Sequence, residues 1–474
     1  MTDSAYRIGA PVGLVCFLFI AWLAFLHPQY IGSYTNLGAL IFAEILVAAL
    51  WHYEQRFFPL LMVVFMLAGT AEPLKGSAAY GRWLVLAVAA IAGCILYLRT
   101  QGLSLGVFHL VALISVVSAL VSGMVSSDSR TALLKTLSLL LLFLYGATGA
   151  RLAVIGREAK FVAGMLLGCE FLVYISAVFY FIFHYPIYGN PNSLGVVMGI
   201  VATPLLLWGV LVSEGSPVGR RRLFAFGLCQ LLLLSSYARA GFAAAAVSYI
   251  FLCVGLRRYR LLIKCAGMVI LAAAVVATVM PRPGAKADSF VATFLYKGHQ
   301  GKGIMASRRS PWDQTAAVIR QRPWFGSGFG TSVTTSDEAQ STSAVQSEIA
   351  ITREHGNSYL AITEWVGLLG VVPFLALVFL VAMNVGRVMI WVRRTGNPYS
   401  PALPIAAVLA AGVVHATFED WMFAVGYYMC VFFWALAFVL VDLIHNGGEE
   451  FAHPASTSPP CPSHSQYGVP AAST

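Results

Sequence analysis

The chain has 474 residues, of which 59% are hydrophobic and only 11% are charged, and its mean hydropathy is +0.78. Because soluble domains carry about 25% charged residues, this composition excludes an ordinary soluble protein and predicts a polytopic helical membrane protein. The net charge of +10 comes from basic residues that stand in short clusters between apolar runs. That distribution is typical of membrane topology signals and does not indicate a nucleic-acid-binding surface.

Apolar runs follow one another from residue 10 to residue 443. A helix needs about 20 apolar residues to cross the hydrocarbon core, so the pattern predicts an all-α transmembrane bundle of about 12–14 spans. The first run lacks a persuasive cleavage site and is expected to be a retained span, not a signal peptide. The candidate spans are 10–26, 37–51, 57–69, 83–98, 103–125, 132–150, 161–183, 194–213, 223–237, 240–256, 261–280, 366–391, 402–418 and 422–443.

Basic residues near the span ends predict the orientation of the bundle. With the N-terminus inside, sixteen basic residues of the short segments fall on the inner side and five on the outer side, the five being Lys75, Arg82, Arg130, Lys135 and Arg239. Short loops rich in Lys and Arg favour the cytoplasmic side. Both termini are therefore predicted to be cytoplasmic.

The same pattern divides the chain into four parts. They are an N-terminal transmembrane bundle over 1–280, a large periplasmic loop over 281–357, C-terminal transmembrane helices over 358–446, and a tail over 447–474 that is expected to be disordered and cytoplasmic. Seven of the eight cysteines lie within apolar runs. They are interpreted as small packing residues, and no spacing indicates a disulfide framework or a zinc site.

The large loop contains a predicted amphipathic helix. Ser310 is expected to cap it and Pro311 to open it, because serine and proline are favoured at these two positions. Apolar residues then recur at helical spacing, so the helix is expected over 311–321. The following stretch at 331–349 is rich in Ser and Thr and is expected to be mobile, as a lid would be.

Cationic residues and one histidine are the main candidates for chemistry. Arg239 stands at the predicted outer edge of two spans, where it either snorkels to the interface or binds an anion, since a guanidinium grips phosphate oxygens bidentately. Arg308 and Arg309 precede the loop helix and are either solvated or part of the same anion site. His355 is either an ordinary surface residue or a general base at neutral pH.

Other polar residues on the predicted outer side have a supporting or purely structural interpretation. Asn190 and Asn192 flank Pro191, which is typical of a turn and a helix N-cap. Glu419 and Asp420 lie between two late spans, where they cap a helix or hold an arginine by charge pairing.

Four of these polar segments follow one another in an informative order. Asn190–Leu194 opens a span and Ser236–Gly241 joins two spans. Ser307–Gly328 forms the core of the loop, and His355–Leu360 runs into Glu364–Gly370. This ordered set, which covers about 190 to 370, resembles the bacterial O-antigen ligase and polysaccharide polymerase superfamily.

The resemblance implies a membrane glycosyltransferase of the bacterial inner membrane that uses neither a metal nor another cofactor. Such an enzyme would transfer a glycan, with inversion, from undecaprenyl pyrophosphate to an acceptor hydroxyl of a glycan or of lipid A-core on the periplasmic side. Its other expected partners are membrane lipid and polysaccharide assembly proteins. In this interpretation His355 would orient or deprotonate the acceptor, and Arg239 and Arg308, with Arg309 beside it, would bind the pyrophosphate. Arg308 is preferred to Arg309 because it stands four residues before Trp312, as in the family pattern. The supporting residues would be Asn190, Asn192, Asn357, Tyr359, Glu419 and Asp420.

One departure from the family pattern and three alternatives stay open. The family places its histidine directly before the asparagine, whereas Gly356 separates His355 from Asn357. Polymerase and ligase activity are not distinguished by the sequence. A secondary transporter or lipid flippase would require charges near mid-membrane and a repeat in two halves; only Glu44 and Glu170 are clearly mid-span acids, and no such symmetry is present. An inactive scaffold in an export complex is the third alternative.

Overall fold

A computed structural model describes the chain over residues 34–69, 75–100, 105–185, 187–264, 267, 306–331 and 354–445. Within these ranges the regular structure consists of α-helices and short π-helical turns. The α-helices in chain order are α1 (Tyr34–Trp51), α2 (Tyr53–Ala68), α3 (Lys75–Arg99), α4 (Val107–Val125), α5 (Ser129–Tyr145), α6 (Glu158–Ala177), α7 (Pro191–Val196), α8 (Thr203–Val212), α9 (Pro217–Ser235), α10 (Arg239–Gly255), α11 (Ala306–Gln321), α12 (Ser358–Thr395), α13 (Ala402–His415) and α14 (Tyr428–His445).

Six helical stretches in the described part are long and apolar enough to cross a membrane. They are Gly81–Arg99, Val107–Val125, Ser129–Ala150, Glu158–Ile182, Pro191–Val212 and Ser358–Thr395. Shorter apolar helices cover Phe42–Trp51, Arg239–Gly255, Ala402–His415 and Tyr428–Ile444. The predicted all-α transmembrane bundle is therefore confirmed.

Some predictions fall outside the described residues. They include the candidate span 10–26, most of the candidate span 261–280, the proposed lid beyond residue 331 and the tail at 447–474. Of the polar segment 281–357, the structure describes 306–331 and 354–357.

The core of the bundle is built around α13 and α14. Both helices are apolar over most of their surface, which is the pattern of a helix surrounded by protein. Residues 402–409 of α13 are all buried, and Trp434 of α14 is 0% exposed. Helices α10, α12 and α14 pack against α13.

One end of this core is held by a buried ion pair. Arg151 is 2% exposed, and its Nε and Nη2 lie 2.6 and 2.7 Å from the two carboxylate oxygens of Asp442 on α14. Its Nη1 lies 3.0 Å from Nε2 of His109 on α4. Because a buried charge is costly unless it is paired, this bidentate contact fixes α14 against its neighbours.

Helix α12 is broken at Gly367, whose φ of +69° and ψ of 179° are not helical. The turn after α11 fills the break: Ser327 N–H donates to the carbonyl of Glu364 at 2.8 Å, and Leu368 N–H donates to the carbonyl of Pro323 at 2.7 Å. A broken helix at membrane depth is tolerated where protein satisfies its backbone groups. The turn and the broken helix therefore form one structural unit.

Helix α11 confirms that the polar segment contains a helix, but its predicted start was wrong. The helix begins at Ala306, five residues before Pro311, which lies inside it. The expected cap at Ser310 is therefore not formed. Proline is favoured in a first turn, so the sequence predicts a helix start at residue 311. The observed helix is longer at its start and includes Arg308, which contacts Glu419 of the bundle.

Candidate functional site

Two arginines that are far apart in the sequence line one cavity at one end of the bundle. Arg239 is the first residue of α10, and Arg308 lies in the first turn of α11. The cavity has a volume of about 150 Å³, and we call it the arginine cavity. Its other lining residues are Asn192, Val196, Ala238, Ala240, Ala243, His415, Phe418 and Glu419.

Close backbone packing brings Arg239 and Asn192 to the same cavity. A Cβ on Gly241 of α10 would lie 2.6 Å from the carbonyl oxygen of Gly195 in α7, so the two backbones touch. Only glycine permits such an approach. Because Arg239 and Asn192 lie near the N-terminal ends of these two helices, the contact places both side chains at one level.

Arg308 reaches the cavity through an ion pair with Glu419, which follows α13. The Arg308 side chain is 17% exposed and that of Glu419 is 26% exposed. Burial raises the pKa of Glu419, and the opposite charge of Arg308 counteracts this. The neighbouring Arg309 is exposed and does not line the cavity. The predicted arginine pair is thus split: only Arg308 joins Arg239.

His355 is buried between two carboxylates beside the cavity. Its side chain is 1% exposed; Nδ1 lies 3.2 Å from Asp420, and Nε2 lies 3.4 Å from Glu364. The backbone N–H of His355 also donates to Asp420, at 2.8 Å. Burial alone lowers the pKa of His355, but the hydrogen bonds and charges of Asp420 and Glu364 outweigh it, so the net pKa is raised. The pKa of Asp420 is lowered because His355 outweighs its burial.

His355 does not line the arginine cavity. Two acids that are adjacent in sequence connect His355 to the cavity. Glu419 contacts Arg308, and Asp420 contacts His355. The expectation that these acids hold an arginine agrees with the contact of Glu419, whereas Asp420 contacts His355 instead. The catalytic role of His355 stays a prediction.

Glu364 was not among the predicted site residues. Its side chain is 0% exposed and faces His355, while its backbone carbonyl accepts from Ser327 in the turn that fills the α12 break. The sequence placed Glu364 within a family-like segment, but its contact with His355 depends on the path of the helix.

Three supporting residues have structural contacts. Asn190 caps α7 by accepting from Asn192 N–H at 2.8 Å. Asn357 caps α12 by accepting from the N–H groups of Tyr359 and Leu360. The Tyr359 hydroxyl donates to the carbonyl of Val413 at 2.9 Å, which ties α12 to α13. None of the three predicted residues Asn190, Asn357 and Tyr359 lines the arginine cavity.

A second histidine, His415, lines the cavity and was also missed. It is the last residue of α13 and is 1% exposed. Because it lies within a candidate span, the sequence alone gave no reason to separate it from packing residues. Its neighbours in the fold, Trp421 and Arg308, are what distinguish it.

Comparison with known proteins gives one family match. No curated protein matches the chain. Residues 223–375 match the family model described as O-antigen ligase. The matched region includes Arg239, Arg308, His355 and Glu364. This match supports the O-antigen ligase and polysaccharide polymerase superfamily that the motifs indicated.

Proposed function

We propose that the protein is a glycosyltransferase that moves a glycan from an undecaprenyl-pyrophosphate carrier to an acceptor hydroxyl, on the periplasmic side of the bacterial inner membrane. The family match supports membrane glycan transfer of the ligase or polymerase type. The observation that carries the finer proposal is the shared cavity of Arg239 and Arg308. Two guanidinium groups in a partly buried site match the charge of a diphosphate, and each can hold phosphate oxygens bidentately.

In this reaction the acceptor oxygen attacks the anomeric carbon of the first sugar. The bond from that carbon to the diphosphate oxygen breaks, and the diphosphate leaves with the electron pair. Arg239 and Arg308 stabilise the negative charge that develops on it. The diphosphate takes the place of Glu419 on Arg308, because both are anions that compete for the same guanidinium group.

In the proposed step, Nε2 of His355 accepts the proton of the acceptor hydroxyl. Asp420 faces the other ring nitrogen, and a carboxylate in that position orients a histidine base and stabilises its charged form. Because His355 is 1% exposed and Nε2 faces Glu364 at 3.4 Å, the acceptor reaches Nε2 only when the Glu364 contact opens.

The acceptor belongs to one of two classes. A growing glycan chain would make the protein a polymerase, and lipid A-core would make it a ligase. Polymerase action on an exopolysaccharide or O-antigen repeat is the version we propose, working beside other polysaccharide assembly proteins.

Single alanine substitutions test the proposal in cells. R239A, R308A and H355A are each expected to shorten or abolish the surface glycan, and R309A, which alters the exposed neighbour, is expected to leave it unchanged. Protein amounts are matched by immunoblot. Wild-type glycan from all three site variants at normal protein levels would refute the assignment.

A further inference from the structure

The indole of Trp421 fixes the protonation of His415. Its Nε1–H donates to Nδ1 of His415 at 3.0 Å, and both side chains are buried. An indole N–H is only ever a donor, so Nδ1 must present a lone pair. A doubly protonated imidazole has no lone pair. His415 is therefore neutral, and its one ring proton is on Nε2.

The protonated nitrogen points away from Trp421, and the residue that carries it lines the arginine cavity. His415 lines the arginine cavity, whereas Trp421 does not. Because the two ring nitrogens point in divergent directions, Nε2–H points away from Trp421. Among the residues that the structure describes, the one hydrogen bond of the His415 ring is the one that Nδ1 accepts, so Nε2–H is available to a molecule in the cavity. A donor at a cavity wall can be satisfied by a water or by a ligand atom that accepts from it.

The charges around this donor define what it binds. Arg239 and Arg308 line the same cavity, and the charge of Arg308 acts on His415. Glu419 is the only carboxylate among the cavity-lining residues that the structure describes, and it is paired with Arg308. Two guanidinium groups in the same cavity as a neutral N–H donor favour an oxyanion as the ligand.

We infer that His415 is a further binding residue of this site and donates a hydrogen bond from Nε2 to an oxygen of the diphosphate group of the lipid-linked donor. This inference rests on the proposed function, since it takes the donor to be a diphosphate. A neutral donor adds directionality to the two arginines without further charge. Trp421 acts as a positioning residue, because it sets which nitrogen carries the proton.

Two substitutions separate the binding role of His415 from a structural one. In H415N the amide oxygen takes the place of Nδ1 and still accepts from Trp421, but the Nε2–H donor is lost. In H415Q the amide N–H₂ reaches the position of Nε2, while the acceptor for Trp421 is lost. The measurement is binding of undecaprenyl pyrophosphate to the purified full-length chain in nanodiscs, with the thermal unfolding midpoint as the second readout.

We expect H415N to keep the midpoint of the wild type and to bind about tenfold more weakly or worse, which corresponds to one hydrogen bond to a charged group. H415Q is expected to lower the midpoint and to bind within about threefold of the wild type. Wild-type binding by H415N would overturn the inference. If H415N does not fold, the double variant W421F/H415L is compared with W421F. Neither variant contains the buried indole N–H that needs His415 as its acceptor, so they differ only at position 415. Equal binding by these two variants would overturn the inference.

R239A and R308A, measured alongside, distinguish the two possible failures. If they weaken binding while H415N does not, only the role of His415 is wrong. If R239A, R308A and H415N all bind as the wild type does, the diphosphate does not occupy the arginine cavity, and the proposed function fails with the inference.

Discussion

The α carbon of Gly356 faces the guanidinium group of Arg308, and a Cβ at position 356 would lie 2.7 Å from Nη1. Gly356 is also the residue that separates His355 from Asn357, where the family pattern has none. Its carbonyl accepts from Nε1 of Trp312 at 3.3 Å, one turn beyond Arg308 on α11. The extra glycine therefore makes room for Arg308 and fixes the helix that carries it.

Substitution of Gly356 by alanine should displace Arg308 from the cavity. The new methyl group would meet the guanidinium, and the φ of +62° adds strain of about 1–2 kcal/mol for a residue with a side chain. We expect G356A to reduce glycan transfer in membrane vesicles at least tenfold. The control is G396A at the C-terminal end of α12, where φ is +68° but a Cβ would meet open space. Equal transfer by G356A and G396A would contradict this prediction.

Replacing Glu419 by glutamine should strengthen diphosphate binding. The amide keeps the shape of the side chain but removes the negative charge that is paired with Arg308. A carboxylate competes with a phosphate for the same guanidinium group, so its loss should tighten binding of undecaprenyl pyrophosphate several-fold. Titration of purified E419Q and wild type measures this. Weaker binding by E419Q would contradict this prediction, because it would show that Glu419 orients Arg308 for the diphosphate and does not compete with the diphosphate.

The pH dependence of transfer should follow His355. Its pKa is raised above the ordinary value near 6.5 by Asp420 and Glu364, and a base must be neutral to accept a proton. Transfer should therefore rise with pH through a midpoint above 6.5. In D420N one of the groups that raise the pKa is lost, so the midpoint should move to lower pH although the maximal rate falls. A pH–rate profile in membrane vesicles checks this; an unmoved midpoint in D420N would exclude His355 as the titrating base.

The break in α12 should be intolerant of a side chain. A Cβ at Gly367 would collide with the backbone of Trp324 in the turn that fills the break. G367A is expected to separate the turn from Glu364, to lower the unfolding midpoint and to reduce transfer strongly. G386A is the matched control, because a Cβ at that helical glycine of α12 meets nothing within 4 Å and alanine is favoured there by up to about 1 kcal/mol. A G367A protein with wild-type stability and transfer would contradict the structural role of the break.

The helices and the arginines could be predicted from the sequence because their signals are local. Apolar runs such as 107–125 predict a membrane helix without knowledge of the fold. Arg239 was recognisable because a cation between two apolar runs is rare and needs either a route to the interface or an anionic partner. The choice of Arg308 over Arg309 required the family pattern, and the structure buries Arg308 against Glu419.

The remaining parts of the site depend on contacts between distant segments. His415 is indistinguishable from a packing residue until Trp421 and the cavity are placed around it. The contact of Glu364 with His355 requires the non-helical backbone at Gly367, which no periodicity in an apolar run reveals. The start of α11 was misplaced for a similar reason, because the contacts of the helix with the bundle outweigh the usual preference of proline for a first turn.

The central claim is that Arg239 and Arg308 together bind one diphosphate, and binding of undecaprenyl pyrophosphate to the purified protein tests it most directly. The wild type should bind this lipid more tightly than undecaprenyl monophosphate. R239A and R308A should each weaken binding about tenfold or more, since each loses a charge-assisted contact, while R309A should bind as the wild type does. Unchanged binding by R239A and R308A, or an equal loss in R309A, would contradict the claim.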